Sequence, residues 1–303
     1  MTDIETIEHL KGIIVNAVSK AKSGHPGGAL SSLDFAYILF TEYLKFDPDD
    51  SNWQGRDRFI LSAGHESMLL YSLLMAIGYI QIDDIKNFRQ LHSCTPGHPE
   101  NLLTKGVECA TGPLGQGAAM SVGFAIASRH LSSSLDSNLF SNRTWSLLGD
   151  GCMQEDVTLG AASLAGHLKL SSLIWYYDRN KKQISGSIDR VTSNDDEKIF
   201  KGLGWNVITI DGHSHEEIRS AIETAQKTKN QPTLIIGNTV IASGVASLEG
   251  SHKTHGSPLP SEEREKSLSK WNLNKNEPFA WPSKIQKHFQ RNFSHLANHA
   301  KEW

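Results

Sequence analysis

A chain of 303 residues with 38% apolar content is long enough to bury a sizeable core, as one large α/β domain or two modest ones. A net charge of −3 without any Lys/Arg block excludes a nucleic-acid surface as the main partner and points to a small ligand. Cys94, Cys109 and Cys152 show no pairing or CxxC spacing, the start "MTDIETIEHL" has no basic n-region, and no apolar run reaches the roughly 18 residues of a membrane span. The expectation is a cytoplasmic protein with no membrane contact and no disulfides.

The first segment, "TDIETIEHLKGIIVNAVSKAKSG", places Ile4, Ile7, Leu10, Ile14 and Val18 at three- and four-residue spacing, with acids early, lysines late and Gly24 after the end. This predicts an amphipathic helix. After "HPGG" comes "SSLDFAYILFTEYL", again with helical apolar spacing, in which Ser31 and Asp34 have the form of a capping box. Two helices therefore flank a Gly/Pro/His turn. Further on, "LLYSLLMAIGY" reads as a buried helix.

Short apolar runs recur between helical patterns: "RFILS" at 58–62, "WSLLGD" at 145–150, "SLIWYYD" at 172–178, "NVITIDG" at 206–212 and "PTLIIGNTV" at 232–240. Uninterrupted runs suit strands covered on both faces, and helical stretches such as "HEEIRSAIETAQ" between them give the βαβ rhythm of a parallel sheet. The predicted fold class is α/β, a three-layer, doubly wound, mostly parallel sheet. Ligands of such sheets bind beyond the carboxyl ends of the strands, where "GDG" (149–151), "DRN" (178–180) and "DGH" (211–213) all fall. From about Ser261 the chain turns charged, with prolines and sparse apolar residues. We read residues 1–260 as the ligand-binding domain and 261–303 as a covering helix and linker.

Asp150 ends one predicted strand and Asn180 ends the next, with about 28 residues between Gly151 and Asn180, room for one helix and its turns. A βαβ unit brings both side chains to one sheet edge. A carboxylate, an amide oxygen and a loop carbonyl form an oxygen-only set suited to Mg²⁺ or Ca²⁺, whose remaining positions fall to water and a ligand's phosphate oxygens. Gly149 and Gly151 let the backbone turn and approach those phosphates, and a helix starting near Glu155 points amide hydrogens at the same anion. "GPLGQG" lacks the GxGxxG spacing and no strand clearly precedes it, which argues against a dinucleotide fold.

"GDG" followed by this spacing and Asn resembles the thiamine diphosphate-binding motif. The neighbouring segments "SGHPGG", "RDRFILSAGHESMLLYSLL", "IKNFRQLHSCTPGHPE", "TGPLGQG", "GDGCMQE", "SLAGHLKL" and "THGSPL" resemble those of transketolases, in order from about residue 10 to 260. The resemblance implies the thiamine diphosphate-binding fold, with Asp150, Asn180 and the backbone carbonyl of Lys182 holding a Mg²⁺ or Ca²⁺ ion and the Gly151 amide touching the diphosphate. It also implies that Ile184 lies against the cofactor rings, that Gly112, Pro113 and Leu114 line the aminopyrimidine side, and that Glu155 belongs to the cofactor and dimer-contact region. His25, His65, His98 and His255 match the family's active-site histidines, with His65 and His255 also near the cofactor. Each of the four sits in a motif beside Gly or Pro or, for His65, after Gly64. His130, His288, His295 and His299 are assigned no chemistry, and His252 is read as no more than a loop residue near His255.

The implied activity is thiamine diphosphate-dependent transfer of a two-carbon ketol unit between sugar phosphates, a step of the pentose phosphate pathway. Neutral imidazoles with ordinary pKa near roughly 6.5 can move protons in both directions there. The chain departs from the family in several places. Gly160 stands where a second acid usually follows Glu155, "KK" occupies 181–182 where smaller or apolar residues are usual, and Asn238 replaces a frequent lysine. The chain also stops where transketolases continue into a pyrimidine-binding domain, which carries the glutamate and aromatic residues that engage the aminopyrimidine. The expectation is therefore the diphosphate-binding half of a transketolase, needing a pyrimidine-binding domain or chain as a homodimer or α₂β₂ assembly. The alternatives are a non-catalytic thiamine diphosphate-binding or assembly subunit and a 1-deoxyxylulose-5-phosphate synthase-like enzyme, the latter disfavoured by the "TGPLGQG" loop.

Overall fold

In a computed structural model, residues 1–303 are described, apart from the side chains of Ala297 and His299. The reading of His299 as a residue without chemistry thus lies outside the described residues. Helices α1 (Asp3–Ala21), α2 (Pro26–Ser31) and α3 (Leu33–Ile38) open the chain, and α3 runs on through a wide turn, Leu39–Tyr43. The Thr2 side chain accepts from the Glu5 amide and the Glu5 carboxylate accepts from the Thr2 amide, a capping box that fixes the start of α1. Gly24 does not end this helix: Lys22, at φ 53°, caps it in the left-handed conformation. The capping box expected at Ser31 and Asp34 is not formed. Ser31 closes α2, and its hydroxyl donates to Gly28 O and to Asp178, while Asp34 turns away to meet His213 and His215.

Strand β1 (Arg58–Leu61) leads through a tight turn at Gly64–Glu66 into α4 (Ser67–Ile77), which is buried along its whole length. Then follow α5 (Ile82–Lys86), α6 (Gln116–Ser134), β2 (Thr144–Gly149), α7 (Asp150–Met153), α8 (Asp156–His167) and β3 (Leu173–Arg179). A small hairpin, β4 (Lys182–Gln183) and β5 (Gly186–Ser187), precedes α9 (Asp196–Gly202), β6 (Asn206–Asp211), α10 (His215–Lys227) and β7 (Thr233–Asn238). The five long strands form one parallel sheet in the order β1-β2-β3-β7-β6. All five runs singled out in the sequence are its strands.

Central strand β3 shows why its run is unbroken. Trp175 points to one face, where its indole donates to Ser121 of α6 and packs against Phe200 and Trp205. Tyr176 points to the other, stacked on Phe35 of α3 with ring centroids 3.7 Å apart. Both faces are covered by helices, so both alternating sets of side chains are apolar and buried. The parallel direction puts every strand's carboxyl end on one edge.

Residues 261–303 form α11 (Ser261–Lys270), α12 (Ser283–Phe289) and α13 (Phe293–Glu302). Trp271, Ile285 and Phe289 are buried against the body of the domain, so this segment packs through a few apolar residues while most of the rest is exposed or half-buried. His288 Nε2 of α12 lies 3.0 Å from Asp3 Oδ1 of α1, a hydrogen-bonding and structural position. Among the described residues no helix is long and apolar enough to cross a membrane. All three cysteines are free thiols.

Candidate functional site

The register Gly149↔Asp178 between β2 and β3 sets the tips of the two strands side by side. Asp150 follows directly, buried at 3% exposure in the first turn of α7. Its Oδ1 accepts a 2.6 Å hydrogen bond from the Tyr177 hydroxyl, and its Oδ2 is buried without a partner. Burial pushes the carboxyl up to about 7, against the downward pull of the Tyr177 hydroxyl and the nearby amides of Lys181 and Lys182. Among the described residues no lysine, arginine or histidine forms an ion pair with it.

Asn180 is held beside it by a second buried acid. Asp178 accepts from Ser31 Oγ at 2.6 Å, from the Thr239 hydroxyl, and from Asn180 Nδ2 at 2.8 Å. Asn180 Oδ1 in turn accepts from the Lys182 amide at 3.0 Å, which turns the loop back into the β4–β5 hairpin. Asp178 thus fixes the amide's orientation. Lys182 lies in β4, and Ile184, at the hairpin tip, is 72% exposed.

Asp150 and the Asn180–Lys182 loop therefore share one edge, and the orphaned Asp150 oxygen is the feature a divalent cation would satisfy. Among the described residues no group of three or more His, Cys, Asp or Glu side chains forms a metal cage, so any cation here depends on the mixed oxygen set. The donors present fit such an ion.

On the other side of the edge, the imidazoles of His25, His65 and His255 face one another. Ring centroids are 5.1 Å apart for His25–His65, 5.9 Å for His25–His255, and 5.2 Å for the stacked His65–His255 pair. Three separate loops supply them: the His25–Pro26 entry to α2, the Gly64–Glu66 turn, and the turn following His252–Thr254. His98 flanks the cluster against Gly112, where an added Cβ would meet its ring at 3.4 Å. Burial holds His25 down to about 4, His65 well below the ordinary value and His255 below it, and burial with the Arg89 charge does the same to His98. All four are neutral at pH 7, and Nδ1 of His25 and of His255 are buried with no partner.

The Gly112–Leu114 turn joins the two halves of the site. Thr111 Oγ1 donates to Leu61 O at 2.8 Å, fixing this turn to the end of β1, and a Cβ on Gly64 would strike Thr111 and Gly112 at 2.7–2.9 Å. Glycine at 64 is what lets the His65 turn lie against it. Leu114 covers Gly151, where a Cβ would stand 2.6 Å from Leu114 Cδ1. Glu155 is exposed as the N-cap of α8, and it closes over Gly115 directly after the turn. Gly160 is exposed on α8 with open space around it. Arg179 donates twice to Asn238 Oδ1, at 2.9 and 2.7 Å, so the amide at 238 anchors that guanidinium.

Asp178 is marked in the sequence only as the first residue of "DRN", and two further residues of this region carry no mark there: Tyr177, which precedes it in "WYYDRN", and Glu66, which follows His65. Glu66 is 2% exposed, accepts from Ser32 Oγ at 3.1 Å, and fills the space a Cβ on Gly28 would need. Burial, with Asp178 and Asp150 nearby, pushes its carboxyl well above the usual range.

Comparison with known proteins shows what the chain resembles as a whole. A family model described as "Transketolase, thiamine diphosphate binding domain" matches residues 2–303. The transketolase of Buchnera aphidicola subsp. Schizaphis graminum is 46% identical over 287 residues, covering 93% of this chain and 43% of that protein. Transketolase 1 of Escherichia coli is 42% identical over the same length and with the same shares. Among solved structures, transketolase from Leishmania mexicana superposes with a TM-score of 0.96 at 36% identity, over 100% of this chain and 46% of that one. Transketolase from Campylobacter jejuni superposes with a TM-score of 0.94 at 40% identity, over 99% and 48%. The chain spans less than half the length of the relatives it matches.

Proposed function

Because the chain belongs to the transketolase thiamine diphosphate-binding domain family, we propose that it is the cofactor diphosphate-binding half of an enzyme transferring two-carbon ketol units between sugar phosphates. The observation that carries this reading is the buried Asp150, with one carboxylate oxygen unsatisfied, beside the Asn180–Lys182 loop. Asp150, Asn180 and the Lys182 carbonyl hold a Mg²⁺ or Ca²⁺ ion, and the Gly151 amide faces the diphosphate. Ile184, Leu114, Gly112 and Pro113 supply the walls for the cofactor rings, and Glu155 supports the Gly115 turn from the side where a second subunit docks. Thiamine diphosphate, when bound, supplies the nucleophilic carbon on which ketol chemistry depends.

The protein's own contribution is binding, orientation and proton handling. His65 and His255 stack at the inner side of the cluster, next to the cofactor, and with His25 and His98 they receive the hydroxyls of a sugar. An imidazole kept neutral by burial has one nitrogen to accept a proton and one to give it, so each group serves both directions of a reversible transfer. The remaining groups come from a pyrimidine-binding domain or chain, in a homodimeric or α₂β₂ assembly working in the cytoplasm.

Calorimetry of thiamine diphosphate binding with and without Mg²⁺, in the presence of a pyrimidine-binding half, tests the reading together with an assay of ketol transfer from xylulose 5-phosphate to ribose 5-phosphate. Magnesium-dependent uptake and turnover are expected. A folded complex that takes up the cofactor but shows no turnover would reduce the chain to a silent assembly subunit, and no uptake would refute the proposal.

A further inference from the structure

Arg89 lies between the two loops that carry His25 and His98. Its Nη1 donates to Ser23 Oγ at 2.9 Å, two residues before His25, and its Nη2 reaches Gly97 O at 3.5 Å, one residue before His98. The guanidinium lies flat on the Gly97 backbone, where an added Cβ would stand 3.0 Å from both Cζ and Nε. Glycine at 97 therefore leaves room that a larger side chain could take only by shifting the guanidinium. The arginine itself is in the left-handed region at φ 60°, held there by its amide donating to Thr95 O at 3.0 Å. Its Nε is buried and without a partner, and among the described residues no carboxylate forms an ion pair with it. A half-buried cation in an unfavourable backbone conformation, with no counter-charge, needs a reason to be there.

We propose that Arg89 is a positioning residue of the histidine site: it clamps the Ser23–His25 turn to the Gly97–His98 turn and sets a fixed positive charge beside both imidazoles. The inference rests on the reading of His25 and His98 as proton-handling groups. The Gly97–His98 turn has other anchors, since Ser67 Oγ donates to Gly97 O at 2.9 Å and the Tyr71 hydroxyl donates to His98 O at 3.2 Å. Arg89 supplies the only side-chain tie, among the described residues, between that turn and Ser23. The groups facing His25 are the His65 and His255 rings, His98 and Arg89, and those facing His98 are Arg89, Glu100, His25 and His65. Arg89 is tied by its hydrogen bonds to the loops of His25 and His98 and not to that of His255, which makes His255 an internal control.

The test is an NMR titration of the intact chain with labelled histidine, on wild type, Arg89→Gln, Arg89→Lys and Ser23→Ala. In Arg89→Gln, His25 and His98 titrate at higher pH than in wild type and His255 does not move. Arg89→Lys keeps the charge and loses the fork, so the titrations stay low while the His25 and His98 resonances shift or broaden. Ser23→Ala perturbs the His25 resonance, and it serves as the decisive variant if Arg89→Gln fails to fold. With a pyrimidine-binding half present, the acid limb of kcat/KM moves up in Arg89→Gln and stays in place in Arg89→Lys. Unchanged His25 and His98 titrations in folded Arg89→Gln, an equal shift of His255, or an unperturbed His25 in Ser23→Ala would overturn the proposal. The titration needs no cofactor, so failure of thiamine diphosphate uptake would refute the proposed function and leave this result standing.

Discussion

The Tyr177 hydroxyl and the Asp150 carboxylate form a 2.6 Å hydrogen bond that satisfies one oxygen and leaves the other buried and alone. An anion in that position is costly in the empty domain and becomes favourable only when a cation arrives. Asp150→Asn is therefore expected to be at least as stable as wild type without ligand. In wild type, thiamine diphosphate with Mg²⁺ at 100 times its dissociation constant adds about 2.7 kcal/mol of stability. The variant loses that increment. Thermal denaturation with and without both ligands reads the difference, and an equal ligand-induced rise in the two proteins would remove Asp150 from the metal site.

Acid should act on the histidine cluster in a defined direction. His25 has a folded-state pKa of about 4, below its ordinary 6.5, so the unfolded chain binds more protons between those values. Its contribution to stability is complete above pH 6.5 and is lost as pH falls toward 4. Asp150, pushed up to about 7, contributes with the opposite sign over part of the same range, since the folded chain there holds a proton the unfolded chain releases. The informative quantity is thus the stability of wild type minus that of His25→Gln, from urea denaturation at several pH values. That difference should rise from pH 4 to 6.5 with a slope below about 1.4 kcal/mol per pH unit, because His25 is only partly buried and solvent screens it. A flat difference would show that the imidazole is not held neutral by its surroundings.

The sequence marks Gly151 as a turn residue that lets backbone approach phosphate, and the structure adds a packing reason. A methyl group there would stand 2.6 Å from Leu114 Cδ1, so Gly151→Ala must displace the Leu114 side chain from the wall of the site. The leucine is only partly buried and can swing away, which keeps the cost in folding to about 1 kcal/mol. Thiamine diphosphate affinity is expected to fall by about tenfold, the equivalent of roughly 1.4 kcal/mol. Calorimetry on a variant with wild-type circular dichroism checks this, and undiminished affinity would show that Leu114 does not line the site.

How much was legible in advance depended on whether the signal was local. The strand runs were, because a strand covered on both faces must be apolar at consecutive positions, as Trp175 and Tyr176 illustrate. The nearness of Asp150 and Asn180 followed from βαβ geometry. Ser31 and Asp34 misled, since a capping-box spacing is local while their partners, Asp178, His213 and His215, lie more than 140 positions away. Glu66 and Arg89 were silent for a related reason: nothing in "GHES" or "NFRQ" announces that a glycine at 28 or 97 has cleared space for them. Prolines, charges and sparse apolar residues make the last 43 residues read as a covering helix and linker, and their few apolar residues are the ones that pack.

Phe289 decides whether that last segment belongs to the domain. Its ring is fully buried, edge-on to Tyr37 at 5.9 Å and to Phe293 at 5.8 Å, and so joins α12 and α13 to α3. Around it, Asp3 gathers Tyr37, Arg219, His288 and Arg291 into a partly exposed ion network. Phe289→Ala leaves a cavity in the core and should lower stability by about 3–5 kcal/mol. Arg291→Ala removes pairs that solvent already screens and should cost under about 1 kcal/mol. Both values come from the shift of the urea midpoint at unchanged slope, which keeps the comparison within one cooperative transition. If residues 261–303 merely tethered another domain, the two variants would melt alike and at the wild-type midpoint. The expected gap between them arises because burial of an aromatic ring, and not the surrounding charges, holds the segment in place.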